Sequence, residues 1–133
     1  MMRYYISILS LLILLTCSSC FESFDKRLQR EAREFTENHC PQVPEPGTLL
    51  DSTTYDITSR TYTLWYSLSA ANAEVYSANI PLLHQALLER LLDDVNYKSL
   101  KDHEVIFRYV YTSQPSGQVI YQTQINPNEY ARK

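Results

Sequence analysis

Thr61-Tyr62-Thr63-Leu64-Trp65-Tyr66-Ser67-Leu68-Ser69 is the stretch on which the fold turns. Tyr62, Leu64, Tyr66 and Leu68 share one parity, while Thr61, Thr63, Trp65 and Ser67 share the other. A period of two in β-branched and aromatic residues is the pattern of a strand with one buried face. Just upstream, residues 48–57 place Leu49, Thr53, Tyr55 and Ile57 on one parity. The polar run 56–60, with Thr58-Ser59 at the bend, joins the two as a β-hairpin.

Working downstream, residues 69–79 are polar and small and read as a crossover. Asn79 followed by Pro81 is helix-start chemistry, because the first turn has no need of the amide that proline lacks. Ile80, Leu83, Leu87, Leu88, Leu91, Leu92 and Val95 then form a broad apolar stripe, with Gln85, Glu89, Arg90, Asp93 and Asp94 mostly away from it. His84 lies four residues from both Ile80 and Leu88 and so edges that stripe. Residues 96–103 form a basic and polar loop. A second strand pair follows at 104–112, with Val105, Phe107, Tyr109 and Tyr111 on one parity, and at 118–125, with Val119, Tyr121 and Ile125 opposite Ile120. Gln114-Pro115-Ser116-Gly117 between them is turn chemistry.

Upstream of the first hairpin, Phe24, Leu28, Ala32 and Phe35 recur at helical spacing from a possible cap at Ser23 to about Asn38. Pro41-Gln42-Val43-Pro44-Glu45-Pro46-Gly47 cannot continue a helix and reads as an extended connector. The order is α-β-β-α-β-β. The expected class is α+β: a four-stranded antiparallel sheet with two helices on one face and the other face wet.

Residues 1–19 are of another kind. Arg3 precedes an apolar run of about ten residues, half the length needed to span a bilayer, and small residues close it. That is the layout of a secretory signal peptide, leaving residues 20–133 as a single domain with a short N-terminal tether. Thr16-Cys17-Ser18-Ser19-Cys20 resembles the lipobox of bacterial lipoproteins, with Cys17 standing where leucine is usual. The resemblance makes Cys20 the lipidation site, ahead of the rival Cys17, and implies a diacyl or triacyl cysteine carrying chains such as palmitate. Two or more chains hold a protein firmly to a membrane where one does so only marginally.

Charge and composition narrow the function. Without residues 1–19 the chain keeps 114 of its 133 residues and loses only Arg3 from its 12 basic residues, so 11 face 15 acidic ones, a net charge near −4. That sign argues against nucleic acid and against electrostatic adhesion to anionic lipid. Attachment to a membrane would therefore fall to the lipid. Cys40 alone remains free, too few thiols for an internal bridge, and reads as a small hydrophobe at a helix end. With 2 glycines in the chain, neither phosphate-cradling glycine motif occurs. His39, His84 and His103 belong to different elements, and neither metal-ligand spacing nor a nucleophile elbow is present. No catalytic residue, metal site or cofactor is expected. Asp93-Asp94, and Asp51 with Asp56, are the carboxylates that could meet a cation, and adjacent acids on a helix are ordinarily a solvated face.

Tyrosine is the outlier, at 11 residues. Its ring packs while its hydroxyl stays wet, so strand filling is the simplest role. The functional alternative is an aromatic platform of Trp65, Tyr66, Tyr109 and Tyr111 on the helix-free face, able to bind a carbohydrate, a peptide or another subunit. Trp65 is decisive there, being opposite in parity to Leu64 and Tyr66.

With these elements in place, the chain resembles small lipoproteins of Bacteroidetes-type bacteria that have no assigned activity. The matching pieces are the lipobox, His39-Cys40-Pro41, Gly47-Thr48-Leu49-Leu50-Asp51-Ser52 running into Tyr55-Asp56, and Tyr62 to Leu68. Phe107-Arg108-Tyr109-Val110-Tyr111 and the closing Ile125-Asn126-Pro127-Asn128-Glu129-Tyr130 complete them. The resemblance implies location in the cell envelope, at the outer membrane, and assigns no site. The expected function is that of a lipid-anchored, non-enzymatic envelope protein acting by protein interaction; the alternative is a carbohydrate- or peptide-binding module.

Overall fold

The computed structural model describes residues 22–131. The expected signal segment and both candidate lipid sites, Cys20 and Cys17, lie outside the described residues. Within them the class is α+β, built on a five-stranded sheet in the order β1-β2-β3-β4-β5.

Helix α1 (Phe24–His39) is capped by Ser23, whose hydroxyl accepts from the Lys26 amide. It buries Leu28 and Ala32, the centre of the expected stripe. Strands β2 (Thr48–Asp56) and β3 (Thr61–Leu68) form the expected hairpin. One detail of parity differs: the register slips between Leu50 and Ser52. Asp51 is the extra residue of this bulge, so Leu50, not Leu49, turns inward ahead of Thr53 and Tyr55.

The connector expectation for residues 41–47 is corrected. Residues Gln42–Glu45 form strand β1, which pairs with β2 at Gln42↔Leu50 and Glu45↔Thr48. Pro44 is compatible with this because β1 is an edge strand whose outer side needs no ladder hydrogen bond. Beyond Leu50 no strand of the described residues lies beside the outer edge of β2. There the Thr36 hydroxyl of α1 accepts from the Thr53 amide at 2.8 Å and sits 3.0 Å from the Thr53 carbonyl oxygen. A side chain thus occupies hydrogen-bonding positions that an open edge would offer to another chain.

Residues 69–79 are likewise not an irregular crossover. Ser69 caps helix α2 (Ala70–Ala78), none of whose residues is buried, which is why no apolar period marked it. Helix α3 (Ile80–Asp93) follows, burying Leu87 and Leu91 and leaving Ile80 and Leu82 exposed. A 3-10 turn (Val95–Tyr97) and short helix α4 (Lys98–Asp102) replace the expected loop. Lys101 Nζ donates to the Leu91 and Leu92 carbonyls, closing the C-terminal end of α3.

This helical return corrects the all-antiparallel expectation. Strand β3 ends at Leu68, the helical stretch 70–102 returns the chain, and strand β4 (Ile106–Ser113) starts again beside Thr61. The central pair is therefore parallel, with Tyr62↔Phe107, Leu64↔Tyr109 and Tyr66↔Tyr111 in register. Strand β5 (Val119–Ile125) returns antiparallel beside β4, and helix α5 (Pro127–Tyr130) closes with a capping box between Asn126 and Glu129.

One face of the sheet carries the core. Tyr62, Leu64, Tyr66 and Leu68 of β3 and Phe107, Tyr109 and Tyr111 of β4 pack with Leu28 and Ala32 of α1 and Leu87 and Leu91 of α3. Tyr66 and Tyr111 stack with ring centroids 4.7 Å apart. The other parity of the sheet looks away from these helices.

Candidate interaction site

The aromatic quartet does not assemble on one surface. Tyr66, Tyr109 and Tyr111 are 9%, 5% and 1% exposed and belong to the helix-covered core. Trp65 lies on the opposite face, as its parity requires. Its indole N–H donates to Thr54 Oγ1 at 3.1 Å, and the Arg108 guanidinium carbon lies 5.6 Å from its ring centroid. Arg108 in turn donates to Gln122. The helix-free face thus carries a single indole, partly covered by a cation, next to its register partner Val110.

The core tyrosines serve packing, and burial pushes their phenols upward. Tyr66 is raised to about 12 by burial, partly offset by Arg90. Tyr76 also rises to about 12, by burial and by its 2.8 Å hydrogen bond to Glu45. Tyr130, raised to about 12 by burial, donates to the Val105 carbonyl at 2.6 Å. Burial raises Tyr97, Tyr109 and Tyr111 further still.

His39, His84 and His103 remain on separate elements. His84 makes two contacts: Nδ1 lies 2.6 Å from Thr123 Oγ1 and Nε2 lies 2.6 Å from Glu129 Oε1. Since Glu129 also accepts from the Asn126 amide in the capping box, the imidazole clamps α3 to β5 and α5. Cys40 is the C-cap of α1 and packs on the core. Burial, with Asp51 nearby, pushes its thiol up, so the nucleophilic thiolate is disfavoured. Asp51 is engaged by the Ser67 hydroxyl, and Asp56 by the 58–59 bend. Among the described residues no three His, Cys, Asp or Glu side chains gather to hold a metal, and no helix is long and apolar enough to cross a membrane.

The surface that stands out is a cleft between α1 and the connector after α3. It measures about 460 Å³ and is lined by Leu28, Glu31, Ala32 and Phe35 from α1, Gln42 from β1, Leu50 and Tyr62 from the sheet, and Asp94, Asn96, Tyr97 and Leu100 from the far wall. The four α1 residues fall at i, i+3, i+4 and i+7, one side of the helix. Tyr97 holds the far wall by edge contacts to Tyr62 and Phe107, at 6.2 and 5.7 Å. The floor is apolar, while Glu31 and Asp94 put a carboxylate on each wall. Val95, between two lining residues, is 81% exposed, the most exposed large apolar side chain among the described residues. Such a shape, volume and lining fit apolar side chains presented by a partner. A second cleft of about 430 Å³ lies where Gln29, Arg33 and Thr36 meet the outer edge of β2.

Sequence reasoning missed the α1 cleft because its lining is gathered from separate stretches, each of which reads as ordinary core or loop. Val95 reads in the sequence as the last residue of the apolar stripe, whereas α3 ends at Asp93 and leaves it exposed.

Three solved structures share the fold. A candidate secreted protein from Pseudomonas aeruginosa superposes with a TM-score of 0.66 at 16% identity, covering 83% of this chain and 99% of the other. A pilotin of the Vibrio vulnificus type 2 secretion system gives 0.57 at 9% identity, covering 82% and 96%. A type II secretion system pilotin from Vibrio cholerae gives 0.59 at 13% identity, covering 79% and 90%. No curated protein matches the sequence. A family description does match residues 23–121, which take in everything from the α1 cap to the middle of β5, and the chain accordingly belongs to the family described as Domain of unknown function (DUF8479).

Proposed function

We propose that this chain is a lipid-anchored, non-enzymatic protein of the bacterial envelope, held at the outer membrane through Cys20, that binds a segment of a partner protein in the α1 cleft. The carrying observation is the cleft itself: an apolar floor with an acidic residue on each wall. That chemistry suits an apolar stripe flanked by Lys or Arg. Each large apolar side chain transferred into such a floor is worth about 1.5–3 kcal/mol before the costs of ordering the partner. The basic flank sets orientation and rate more than affinity. The shared fold of two pilotins of secretion systems supports the same reading, as do the lipobox resemblance and the resemblance to small Bacteroidetes-type lipoproteins.

A peptide pair tests the cleft. Two synthetic helices carry the same leucine stripe at i, i+3, i+4 and i+7, one flanked by lysines and the other by glutamates. The lysine form is expected to bind roughly fivefold more tightly, the scale of an exposed charge pair. Amide shifts should centre on Phe35, Leu50, Tyr97 and Leu100, and Glu31→Lys with Asp94→Asn should erase the preference. Equal affinities would sink the reading. Shifts centred on Trp65 and Val110 would favour the helix-free face instead.

A further inference from the structure

The first described residues are tied down on several sides. Glu22 pairs with Arg30 at 3.0 Å, and Ser23 caps α1. The Phe24 ring stacks on His103 with centroids 3.7 Å apart and planes within 4°. Asp25 accepts from the Tyr55 hydroxyl at 2.6 Å and lies 3.7 Å from Arg60 Nε. Arg60 also donates to the His103 carbonyl at 2.6 Å, and its own carbonyl accepts from the Ile106 amide. The start of α1, the β2–β3 turn and the corner before β4 are therefore stitched into one end of the domain.

Register fixes what lies at the other end. The C-terminal end of β2, the start of β3, the start of β4 and the C-terminal end of β5 share the stitched end. The β1–β2 turn and the β4–β5 turn with Ser116 sit opposite. An eight-residue strand separates the two ends by about 26 Å.

We propose that the stitched end is the surface laid against the bilayer. This rests on the reading of Cys20 as acylated. Cys20 stands two residues before Glu22, so the leash is at most about 7 Å, far too short to let the opposite end reach the membrane. The chemistry agrees with a headgroup layer rather than with insertion. Thr58, Ser59, Arg60, His103 and Glu104 are exposed there, while register places the exposed apolar residues Val43 of β1 and Val119 of β5 toward the other end. Arg60 already has an ion-pair partner in Asp25, so neutral lipid suffices. The partner cleft, on the flank of α1, then opens sideways along the membrane.

Site-specific quenching tests this on the full acylated protein purified from membranes, with Cys40→Ser as background. Single cysteines at Thr58, Asn38 and Ser116 carry bimane, and the protein is reconstituted into phosphatidylcholine vesicles containing headgroup-spin-labelled lipid. The label at Thr58 is expected to be quenched severalfold more than those at Ser116 and at Asn38, near the far end of α1. Equal quenching at Thr58 and Ser116 would overturn the orientation, and strong quenching at Asn38 would show a domain lying on its side. Mass spectrometry of the N-terminal peptide runs on the same sample. An unmodified Cys20 would overturn the anchor reading and the orientation with it, whereas equal quenching on an acylated chain refutes the orientation alone.

Discussion

Two glycines show how local geometry sets the cost of one methyl group. Gly47 has φ +82°, and a Cβ there would sit 2.8 Å from both Asn72 Nδ2 and Ser69 Oγ; Gly117 has φ +72° with open space around it. Both substitutions to alanine carry the strain of a left-handed backbone, about 1 kcal/mol. Only Gly47→Ala also pushes apart the contacts that join the β1–β2 turn to α2. Urea denaturation should show a loss of about 2–3 kcal/mol for Gly47→Ala and about 1 for Gly117→Ala; equal losses would mean that the Ser69 and Asn72 contacts yield freely. Thr36→Val preserves shape but removes the acceptor from the Thr53 amide. A loss of about 1–3 kcal/mol is expected, the cost of an unpaired buried donor.

At the scale of elements, α2 stands on hydrogen bonds more than on burial. Asn72 Nδ2 donates to the Pro46 carbonyl at 2.9 Å and to Thr48 Oγ1 at 3.0 Å, and Thr48 is 2% exposed. Asn72→Ala should therefore cost about 1.5–2.5 kcal/mol in thermal or chemical denaturation, while Val75→Ser, on an exposed position, should stay within about 0.5. The same distinction explains what was legible in the sequence. Helices α1 and α3 and the two hairpins bury one face each, and that burial is what the periods of Leu28/Ala32, Leu87/Leu91 and Tyr62/Leu64/Tyr66 record. Helix α2 tucks Ala73 and Tyr76 only part-way into the core and left no period. Strand β1 is short and interrupted by Pro44, so its pairing is visible only once β2 is beside it. The parity of Trp65 told which face it takes, but the tyrosines grouped with it have the other parity across the register, and the platform divides. The cleft was illegible because no contiguous stretch supplies both its walls.

For the whole molecule, the crowded tyrosine core predicts a sharp alkaline limit. Phenols held near 12 in the folded state, such as Tyr66 and Tyr76, ionise near 10 once unfolded. Below pH 10 both states are protonated and the contribution to stability is intact. As pH rises from 10 toward 12 the unfolded chain sheds protons that the folded one keeps, and stability falls. Tyrosinate absorbance and loss of circular dichroism should then rise together in one cooperative step. Gradual ionisation with the fold intact would show phenols already open to water.

The account as a whole stands on the cleft being occupied in the cell. Benzoylphenylalanine placed at Val95 of the membrane-bound protein, with Ser116 as the distant control, reads this directly by photocrosslinking in intact bacteria. The account predicts a discrete adduct to one envelope protein from Val95, weakened by Glu31→Lys with Asp94→Asn, and none from Ser116. Adducts that form equally from both positions, or that ignore the removal of the acidic walls, would contradict it.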